Sequence, residues 1–503
     1  MIRPVKGVDV GLYECLSSTF RLAYPKSKLS IRLCVDSKSD PAYPVLCQLV
    51  ADFGHTFDAQ VLVEEEDPVL HGSAGHANNL GPNPKIRNIS RAYREAKGDV
   101  IWIVDCNVWV AKNAAGRMVD KLFGFEANGG RTTPYKFVHQ LPLVVDLDNN
   151  LNTPSASGGA ATTSPVGKPS TEAQQSLLPS TTAPPPPPQG PSSQTRGLLA
   201  HGGRLEEMFM STTHAKFYSA INTVSLAPCI VGKSNMFRKS HLDSFTTVSS
   251  NPLLRTSDSS RGTGIDFFSS YICEDHLIGD LIWRSSSPGY RNHGLVSGEV
   301  AVQPMAGMSV AAYIARRVRW LRVRKWTVLL ATLVEPGVES LVCCAYFAFA
   351  VTTLPFFNRT FGVPQTWKAM AGLWLGSVTI WMSIDRWLTS KLFRLQSLDV
   401  DEDTPYFAKG TARQGGTVQR PFREWIAAWL GRELLALPIW TTAVLLGTTV
   451  RWRGRQFRVR VDMSVVEVED SNTRKSRAAD VVVGGSKPRL RVAGSPDSKD
   501  RVD

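Results

Sequence analysis

The sequence alternates between apolar runs that favour strands and segments that favour helices, and acidic residues follow the runs. Ser30 to Val35 is a strand-like run that leads into a turn-prone stretch containing Asp40. Ile89 to Lys97 is typical of a helix, and Val100 to Val104 is a β-favouring run that stops at Asp105. This alternation predicts an α/β sheet, and such sheets bind ligands beyond the carboxyl ends of their strands.

The composition excludes several classes of protein. The chain has 503 residues with 21 Phe, 13 Trp and 11 Tyr, so it is neither collagen-like nor wholly disordered. The 57 Lys and Arg exceed the 44 Asp and Glu, but the surplus flanks apolar segments, so we expect no nucleic-acid partner. The eight cysteines show no zinc-binding spacing, and we expect them to be reduced and to face the cytosol.

Two segments have the composition of disordered chain. Residues 148–200 are rich in Ser, Thr, Ala, Gly and Pro and contain no aromatic residue. Such a segment cannot bury enough apolar surface to offset its ordering entropy, so we expect a disordered insertion. Residues 461–503 are charged, and we expect a disordered tail there.

Three uncharged stretches follow in the second half of the chain, namely Ser340 to Phe357, Ala369 to Ile384 and Leu434 to Val450. Each is a little shorter than the ~20 residues that a membrane helix needs. Buried core helices are the alternative for any one of them. Because Trp and basic residues flank them, we expect interfacial and transmembrane helices in a lipid bilayer over 326–460, with Trp326 to Pro336 lying along the membrane surface.

Basic residues crowd both ends of this apolar block. One cluster runs from Arg316 to Lys325 and the other from Arg451 to Arg460. The positive-inside rule makes both clusters cytosolic, whereas three crossings would place them on opposite sides. Either one apolar segment is re-entrant or interfacial, or one basic cluster belongs to a binding site.

Three acidic positions are placed as a nucleotide-sugar transferase needs them. Asp40 can accept hydrogen bonds from a uracil ring or a ribose, and Asp105 can hold a divalent cation against a diphosphate. Asp275, in the pair Glu274-Asp275 at a predicted helix start, can serve as a general base toward a hydroxyl group. Each residue also has a purely structural explanation. Asp40 can belong to an Asp-Pro turn, Asp105 can be a solvated loop residue, and Asp275 can be an acidic residue favoured at a helix start.

The segment RRVRW adds a basic element. Arg316 and Arg319 are three residues apart and share one helical face. Two guanidinium groups on one face suit a pyrophosphate leaving group, and Trp320 can stack against a sugar. A basic helix that attracts anionic lipid is the alternative.

The order of these motifs resembles the D, D, D, (Q/R)xxRW signature of membrane-embedded inverting glycosyltransferases with a GT-A fold. Within this group the chain is similar to the ceramide glucosyltransferase family of the fungal type. Further segments that carry the resemblance are PVKGVD (Pro4 to Asp9), YPK (Tyr24 to Lys26), GPNPKIRN (Gly81 to Asn88), EPGVES (Glu335 to Ser340), GRE (Gly431 to Glu433) and VRWRGRQFRVR (Val450 to Arg460).

The resemblance implies transfer of glucose from UDP-glucose to the primary hydroxyl of ceramide with inversion. It implies a GT-A catalytic domain in two parts, 1–147 and 201–325, and Asp275 as the general base. The residues assigned to donor binding are Asp40, Lys85, Asp105 and His214. The residues assigned to the pyrophosphate and acceptor site are Glu274, Arg316, Arg319 and Trp320.

The resemblance also implies a Mg or Mn ion at Asp105. Related synthases offer a full DxD motif, whereas this chain has Asp105-Cys106-Asn107, so metal dependence is expected to be weak. The family usually carries a membrane anchor ahead of PVKGVD, and this sequence starts at that motif. A multi-pass protein of the Golgi or endoplasmic reticulum is implied, with its catalytic domain facing the cytosol.

Two other functions compete with this interpretation. A processive polysaccharide synthase of the chitin or hyaluronan type would normally have more membrane helices than about three. A non-catalytic lipid-binding scaffold would have no need for the acidic residues at Asp40, Asp105 and Asp275.

Overall fold

The computed structural model describes residues 1–71, 80–126, 128–148 and 202–468. The predicted insertion over 148–200, apart from residue 148, and most of the predicted tail lie outside the described residues. The strands are β1 (Ile2–Pro4), β2 (Ser30–Val35), β3 (Asp58–Val63), β4 (Val100–Val104), β5 (Tyr135–Asp146), β6 (Ser234–Arg238), β7 (Arg291–Met305), β8 (Thr449–Trp452), β9 (Arg455–Val459) and β10 (Val465–Glu467).

Helices pack around these strands and dominate the second half of the chain. The α-helices are α1 (Leu12–Ser17), α2 (Tyr43–Phe53), α3 (Pro68–His71), α4 (Pro84–Arg94), α5 (Ala114–Phe123), α6 (Gly202–Ser211), α7 (Thr213–Val224), α8 (Lys239–Phe245), α9 (Glu274–Arg284), α10 (Val310–Arg324), α11 (Leu329–Val334), α12 (Ser340–Thr353), α13 (Pro355–Phe361), α14 (Trp367–Arg394), α15 (Tyr406–Lys409) and α16 (Phe422–Val444). Short 3-10 helices cover Ser18–Arg21, Lys26–Lys28, Glu64–Glu66, Thr256–Arg261, Gly264–Phe268 and Glu335–Val338.

Strands β1 to β7 form one sheet in the order β3-β2-β1-β4-β6-β5-β7. Strands β3, β2, β1 and β4 are parallel, β6 is antiparallel to both of its neighbours, and β7 is parallel to β5. The strand order reverses direction between β1 and β4, and such a switch point opens a crevice for ligands at the carboxyl ends of the strands. The predicted α/β class is confirmed.

Both faces of this sheet are buried. Leu33 and Val104 belong to one apolar cluster, whereas their strand neighbours Cys34 and Ile103 belong to another on the opposite face. Successive side chains of a strand point to opposite faces, so helices on both sides are needed to cover them. The arrangement leaves the strand ends as the place where polar side chains can gather.

The structure matches the predicted strands β2 and β4 at both ends, but the helix predicted over Ile89 to Lys97 is misplaced. It begins at Pro84 and ends at Arg94. The Asn83 side chain accepts hydrogen bonds from the amides of Lys85 and Ile86, and proline is favoured in the first helical turn. These two start signals outweigh the apolar pattern that placed the helix later.

The three apolar stretches fall on α12, α14 and α16, but the region 326–460 is not helical throughout. The third stretch leaves the helix after Val444, and β8, β9 and β10 form a second, three-stranded sheet. Val450, Phe457 and Val465 from this sheet pack with Ile272 and Val323. Their burial explains why this segment pairs as strands, and why part of the predicted tail, Val465–Glu467, is ordered.

Within the described residues, no single helix combines the length and the apolar character needed to cross a bilayer. The segments Leu329–Val338 and Ser340–Thr353 meet that requirement together, with a bend of 78° between them. The three predicted membrane segments and the interfacial stretch from Trp326 to Pro336 stay predictions.

Candidate active site

The loops that follow β1 and β4 meet at the switch point of the sheet. β1 ends at Pro4 and leads to Asp9, and β4 ends at Val104, directly before Asp105. The Asn107 side-chain amide donates a hydrogen bond of 2.9 Å to Asp9 Oδ2. This bond joins the two loops. The carboxylates of Asp9 and Asp105 thereby line the crevice.

The carboxylate of Asp105 lies between two lysines. Lys85 Nζ is 3.1 Å from Asp105 Oδ1, and Lys233 Nζ is 3.0 Å from Oδ2. Burial by itself raises the pKa of Asp105, but the charges of Lys85 and Lys233 outweigh it and hold the pKa well below its usual range. Asp105 is therefore ionised at every physiological pH.

Lys85 also connects this carboxylate to the acidic pair at the start of α9. Its Nζ is 3.1 Å from Glu274 Oε1, and the Asn83 side chain donates to Glu274 Oε2 at 3.1 Å. Asn83 caps α4 and Glu274 begins α9, so this contact fixes the two helix starts against each other. The prediction that a helix begins at the acidic pair is confirmed.

Asp275 lines a cavity of about 340 Å³, counted with its open mouth, together with Lys85, Gly232 and Glu274. Burial raises the pKa of Asp275; Lys85 opposes this shift, and the nearby negative charge of Asp105 adds to it. A carboxylate with a raised pKa in a cleft is suited to accept a proton from a bound hydroxyl group. The roles predicted for Asp275, Lys85 and Glu274 stay predictions.

Gly232 leaves the room that the Asp275 carboxylate occupies. A Cβ atom at position 232 would lie 2.6 Å from Asp275 Oδ2. We expect Gly232→Ala to displace this carboxylate. The kcat of the implied glycosyl transfer should fall by up to about 10²-fold, since a misplacement of about 1 Å can cost that much. Steady-state kinetics of the purified variant measure the effect, and its melting temperature should stay near that of the wild type.

Gly116→Ala is the matched control, because a Cβ atom at that position of α5 meets nothing within 4 Å. We expect it to leave kcat unchanged. Equal activity of the two variants would contradict the positioning role of Gly232.

Arg319 on α10 places a positive charge near Glu274. It makes no hydrogen bond or ion pair with the part of the chain that the structure describes. Burial, followed by the charge of Arg316, lowers its pKa to about 10, so it remains protonated. Glu274 and Arg453 also act on this pKa, which identifies both as electrostatic neighbours of Arg319.

Arg453 lies at the turn between β8 and β9. Its charge also acts on Cys106, the residue that follows Asp105. The three-stranded sheet of β8, β9 and β10 therefore places Arg453, one residue of the basic cluster from Arg451 to Arg460, near the candidate site. This placement favours the interpretation in which that cluster belongs to a site.

Arg316 and Trp320, predicted for the pyrophosphate and acceptor site, interact with each other. The guanidinium of Arg316 lies 4.6 Å from the centre of the Trp320 ring, and Arg316 Nε donates to Glu206 Oε1 at 2.8 Å. The bond to Glu206 ties Arg316 to α6, whereas Arg319 has no ion-pair partner among the described residues. The roles predicted for Arg316, Arg319 and Trp320 stay predictions.

Asp40 organises the loop after β1. Its Oδ1 accepts hydrogen bonds from the amides of Gly7 at 3.0 Å and Ala42 at 2.9 Å, and Lys6 Nζ is 3.2 Å from Oδ2. Burial raises the pKa of Asp40, but these donors and the Lys6 charge lower it overall. Its predicted contact to uridine stays a prediction, with a structural role shown beside it.

His214 is linked to the surroundings of Asp275 through Tyr218. The His214 ring stacks on Tyr218 with 5.1 Å between ring centres, and the charge of Asp275 acts on the Tyr218 hydroxyl. Burial, together with Arg317 and Arg324, lowers the pKa of His214 to about 3, so its ring is neutral. Its role in donor binding stays a prediction.

The groups at Asp105 do not fit the predicted divalent cation. Both carboxylate oxygens are taken by lysines, and Asn107 offers only one buried amide oxygen without a hydrogen-bond partner. Among the described residues, no group of three or more His, Cys, Asp and Glu side chains is arranged to hold a metal. The lysines supply the positive charge at this position.

The sequence interpretation missed Lys233 and Gly232. They precede β6, which runs antiparallel to β4 so that Ser234 lies opposite Val104. This pairing brings Lys233 beside Asp105, although 128 residues separate them. The only local signal was a Gly-Lys pair before a short strand, which is too common to identify a site.

Comparisons with known proteins identify the family. The model of glycosyl transferase family 21 matches residues 1–158 and 192–465. A ceramide glucosyltransferase of Pyricularia oryzae is 54% identical, covering 95% of this chain and 87% of its own length. The corresponding enzyme of Gibberella zeae is 50% identical, covering 98% and 90%, and that of Candida albicans is 36% identical, covering 93% and 87%.

Among solved structures, a mannosyltransferase of Pyrobaculum calidifontis in complex with GDP-Man and Mn2+ aligns over 88% of this chain and 86% of its own. Its sequence identity is 13% and its TM-score 0.33, and a similarity this low carries no conclusion. The family model and the fungal relatives confirm the family predicted from the order of the motifs: the chain belongs to glycosyl transferase family 21.

Proposed function

We propose that this chain transfers glucose from UDP-glucose to the primary hydroxyl of ceramide, with inversion at the sugar carbon, to form glucosylceramide and UDP. The fungal relatives named ceramide glucosyltransferase support the reaction. The observation that carries the proposal is the Asp275 carboxylate in a cavity beside Lys85 and Glu274, next to the switch point of the sheet. We further propose that the sheet is of the GT-A type.

In the proposed reaction, Asp275 takes the proton of the ceramide hydroxyl as that oxygen attacks the sugar carbon. The bond between this carbon and the UDP oxygen breaks, and UDP leaves with the electron pair. Arg319, which is free of carboxylate partners among the described residues, would stabilise the charge that develops on the diphosphate. Arg453 would add to this stabilisation from the turn between β8 and β9. No step runs through a metal ion.

We also propose that helices α11 to α16 hold the protein in a membrane of the Golgi or endoplasmic reticulum, with the catalytic part facing the cytosol. Large apolar side chains are unusually exposed on these helices: Leu330 is 77% exposed, Tyr346 64%, Ile380 64% and Leu434 66%. Contiguous exposed apolar surface marks a contact with lipid or with another protein. A lipid acceptor explains why such surface adjoins the catalytic part.

The bent pair that begins with α11 gives a test of this membrane contact. We expect Leu330→Gln to reduce transfer to long-chain ceramide embedded in vesicles, because this exposed side chain would lose its lipid contact. Transfer to a short-chain, dispersed ceramide should stay unchanged. Leu226→Gln is the matched control, since Leu226 is 82% exposed but lies in the loop after α7. Equal losses with both acceptors in Leu330→Gln would contradict a contact with lipid.

The reaction itself is tested by incubating the purified protein with labelled UDP-glucose and a short-chain ceramide. We expect glucosylceramide of the β-anomer, identified by NMR, and a lower rate with UDP-galactose. A sugar polymer as product would favour a processive synthase. UDP-glucose binding without transfer would favour a lipid-binding scaffold.

A further inference from the structure

A second cavity lies apart from the Asp275 cavity. Its volume is about 610 Å³, counted with its open mouth, and it lies between α6, α14, α16 and the segment 411–420. Val145, Met208 and Phe393 form part of its apolar wall. Three arginines, Arg204, Arg386 and Arg420, line it as well, so it combines an apolar wall with guanidinium groups.

The three arginines share the cavity with two carboxylates, Glu207 and Glu424, so their positive charge is only partly neutralised there. Arg204 pairs with Asp146 at 3.1 Å through Nε, but its buried Nη1 and Nη2 have no hydrogen-bond partner among the described residues. The nearest carboxylates to these two nitrogens are Glu207 at 3.7 Å and Glu424 at 4.0 Å. Arg420 shares Glu207, at 3.4 Å.

Arg386 is half-buried and has no carboxylate partner among the described residues. It donates one hydrogen bond of 3.3 Å, to the backbone oxygen of Arg420, and makes no ion pair with the described residues. Its guanidinium also lies 5.3 Å from the centre of the Trp425 ring. The N-terminus of α16 adjoins the same cavity and favours anions, and the Glu424 carboxylate in its first turn already meets part of this preference.

Apolar side chains of α14 are exposed on either side of Arg386, which lines the cavity. Ile384 is 49% exposed and Trp387 62% exposed, and both flank Arg386 in sequence. Trp and Arg side chains are typical of the headgroup level of a bilayer. A molecule held by its anionic end at Arg386 would therefore lie next to exposed apolar side chains of α14.

We propose that this cavity binds the phosphate headgroup of an anionic membrane phospholipid, at a site separate from the one for the transferred sugar. The Arg204 donors that lack a described hydrogen-bond partner, together with the Arg386 guanidinium, would bind the phosphate oxygens, as arginine does in charge-assisted hydrogen bonds. Basic pockets between membrane helices are known to take such headgroups. The proposal rests on the membrane association proposed above and is independent of the transfer reaction.

The test uses the full chain and phosphatidic acid as the probe. The protein is reconstituted in phosphatidylcholine nanodiscs with a small share of labelled phosphatidic acid, extracted gently, and analysed by native mass spectrometry for bound lipid. We expect the wild type to retain phosphatidic acid in preference to phosphatidylcholine. Arg386→Gln should weaken this binding roughly tenfold or more, since losing one hydrogen bond to a charged group costs about 1.5–3 kcal/mol.

Arg423→Gln is the matched control, because Arg423 is an exposed arginine in the first turn of α16 that does not line the cavity. It should bind phosphatidic acid like the wild type. Ala428→Phe fills the cavity without removing a charge and should also lose the lipid. Melting temperatures of all variants check that they are folded.

Three results would each overturn the proposal. The first is an equal retention of phosphatidic acid and phosphatidylcholine, and the second is equal binding by the Arg386 and Arg423 variants. The third is that inorganic phosphate binds in detergent with the same dependence on Arg386 and displaces the lipid, which would identify a site for free phosphate. Neither measurement needs turnover, so a failure of the proposed transferase activity would be seen separately.

Discussion

Replacing Asp275 with Asn is expected to lower kcat for glucose transfer by about 10²–10⁴-fold, the range typical of losing a general base. The amide keeps the shape of the side chain but cannot take the proton of the acceptor hydroxyl. Binding of UDP-glucose should change little, because the proposed donor contacts lie on other residues. Rates measured at saturating donor and acceptor, beside a binding measurement with UDP-glucose, separate the two effects.

Asp280→Asn serves as the control for this substitution. Asp280 lies on the same helix, one and a half turns further on, and pairs with Arg284 at 3.1 Å away from the cavity. It should retain nearly full activity. If Asp275→Asn kept a kcat within about threefold of the wild type, far less than a general base contributes, the base would have to be another residue.

The pH dependence gives a second readout of Asp275. The base acts only when it is deprotonated, so activity falls as the pH drops through its pKa in the folded protein. Burial raises this pKa, and the charge of Lys85 only partly opposes the shift. We therefore expect the acidic limb of the kcat/KM profile to lie above the usual range of an aspartate, and to disappear from the residual activity of Asp275→Asn.

Local patterns in the sequence were sufficient for the parts of the site that lie at the ends of single elements. Asp105 directly follows an apolar strand, and Glu274 and Asp275 begin a helix, so each could be placed from its own neighbourhood. The strand signal is local because a strand that is buried on both faces shows as one short, continuous run of apolar, β-branched residues. The start of α4 was missed although Asn83 and Pro84 provide a standard start signal.

Contacts between distant segments could not be predicted in this way. Lys233 reaches Asp105 because β6 pairs with β4, and Arg453 reaches the vicinity of Arg319 because a small sheet packs beside α10. Neither pairing leaves a mark in the periodicity of the sequence, since it depends on which strands meet in space. The arrangement of lysines around Asp105, which changes the expectation of a metal ion, is visible only in the structure.

Arg432→Met is expected to destabilise the folded protein by about 3–5 kcal/mol, the range for removing one partner of a buried ion pair. Arg432 is 1% exposed, and its guanidinium lies 3.3 Å from Glu339 and 3.6 Å from Asp385, and it also contacts Glu433. Asp385 keeps a second cation in Lys216, but no other cation pairs with Glu339 or Glu433 among the described residues. Two buried carboxylates would thus lose their counter-charge.

The loss should extend to catalysis, because Arg432 joins α16 and α14 to Thr213 of α7, the neighbour of His214. Thermal unfolding of the detergent-purified protein measures the first effect, and Arg423→Met, on the exposed start of the same helix, is the control. Adding Glu433→Gln to Arg432→Met removes one unpaired charge, so the double variant should recover part of the stability. Equal melting temperatures for the Arg432 and Arg423 variants would show that the buried charges do not hold these helices together.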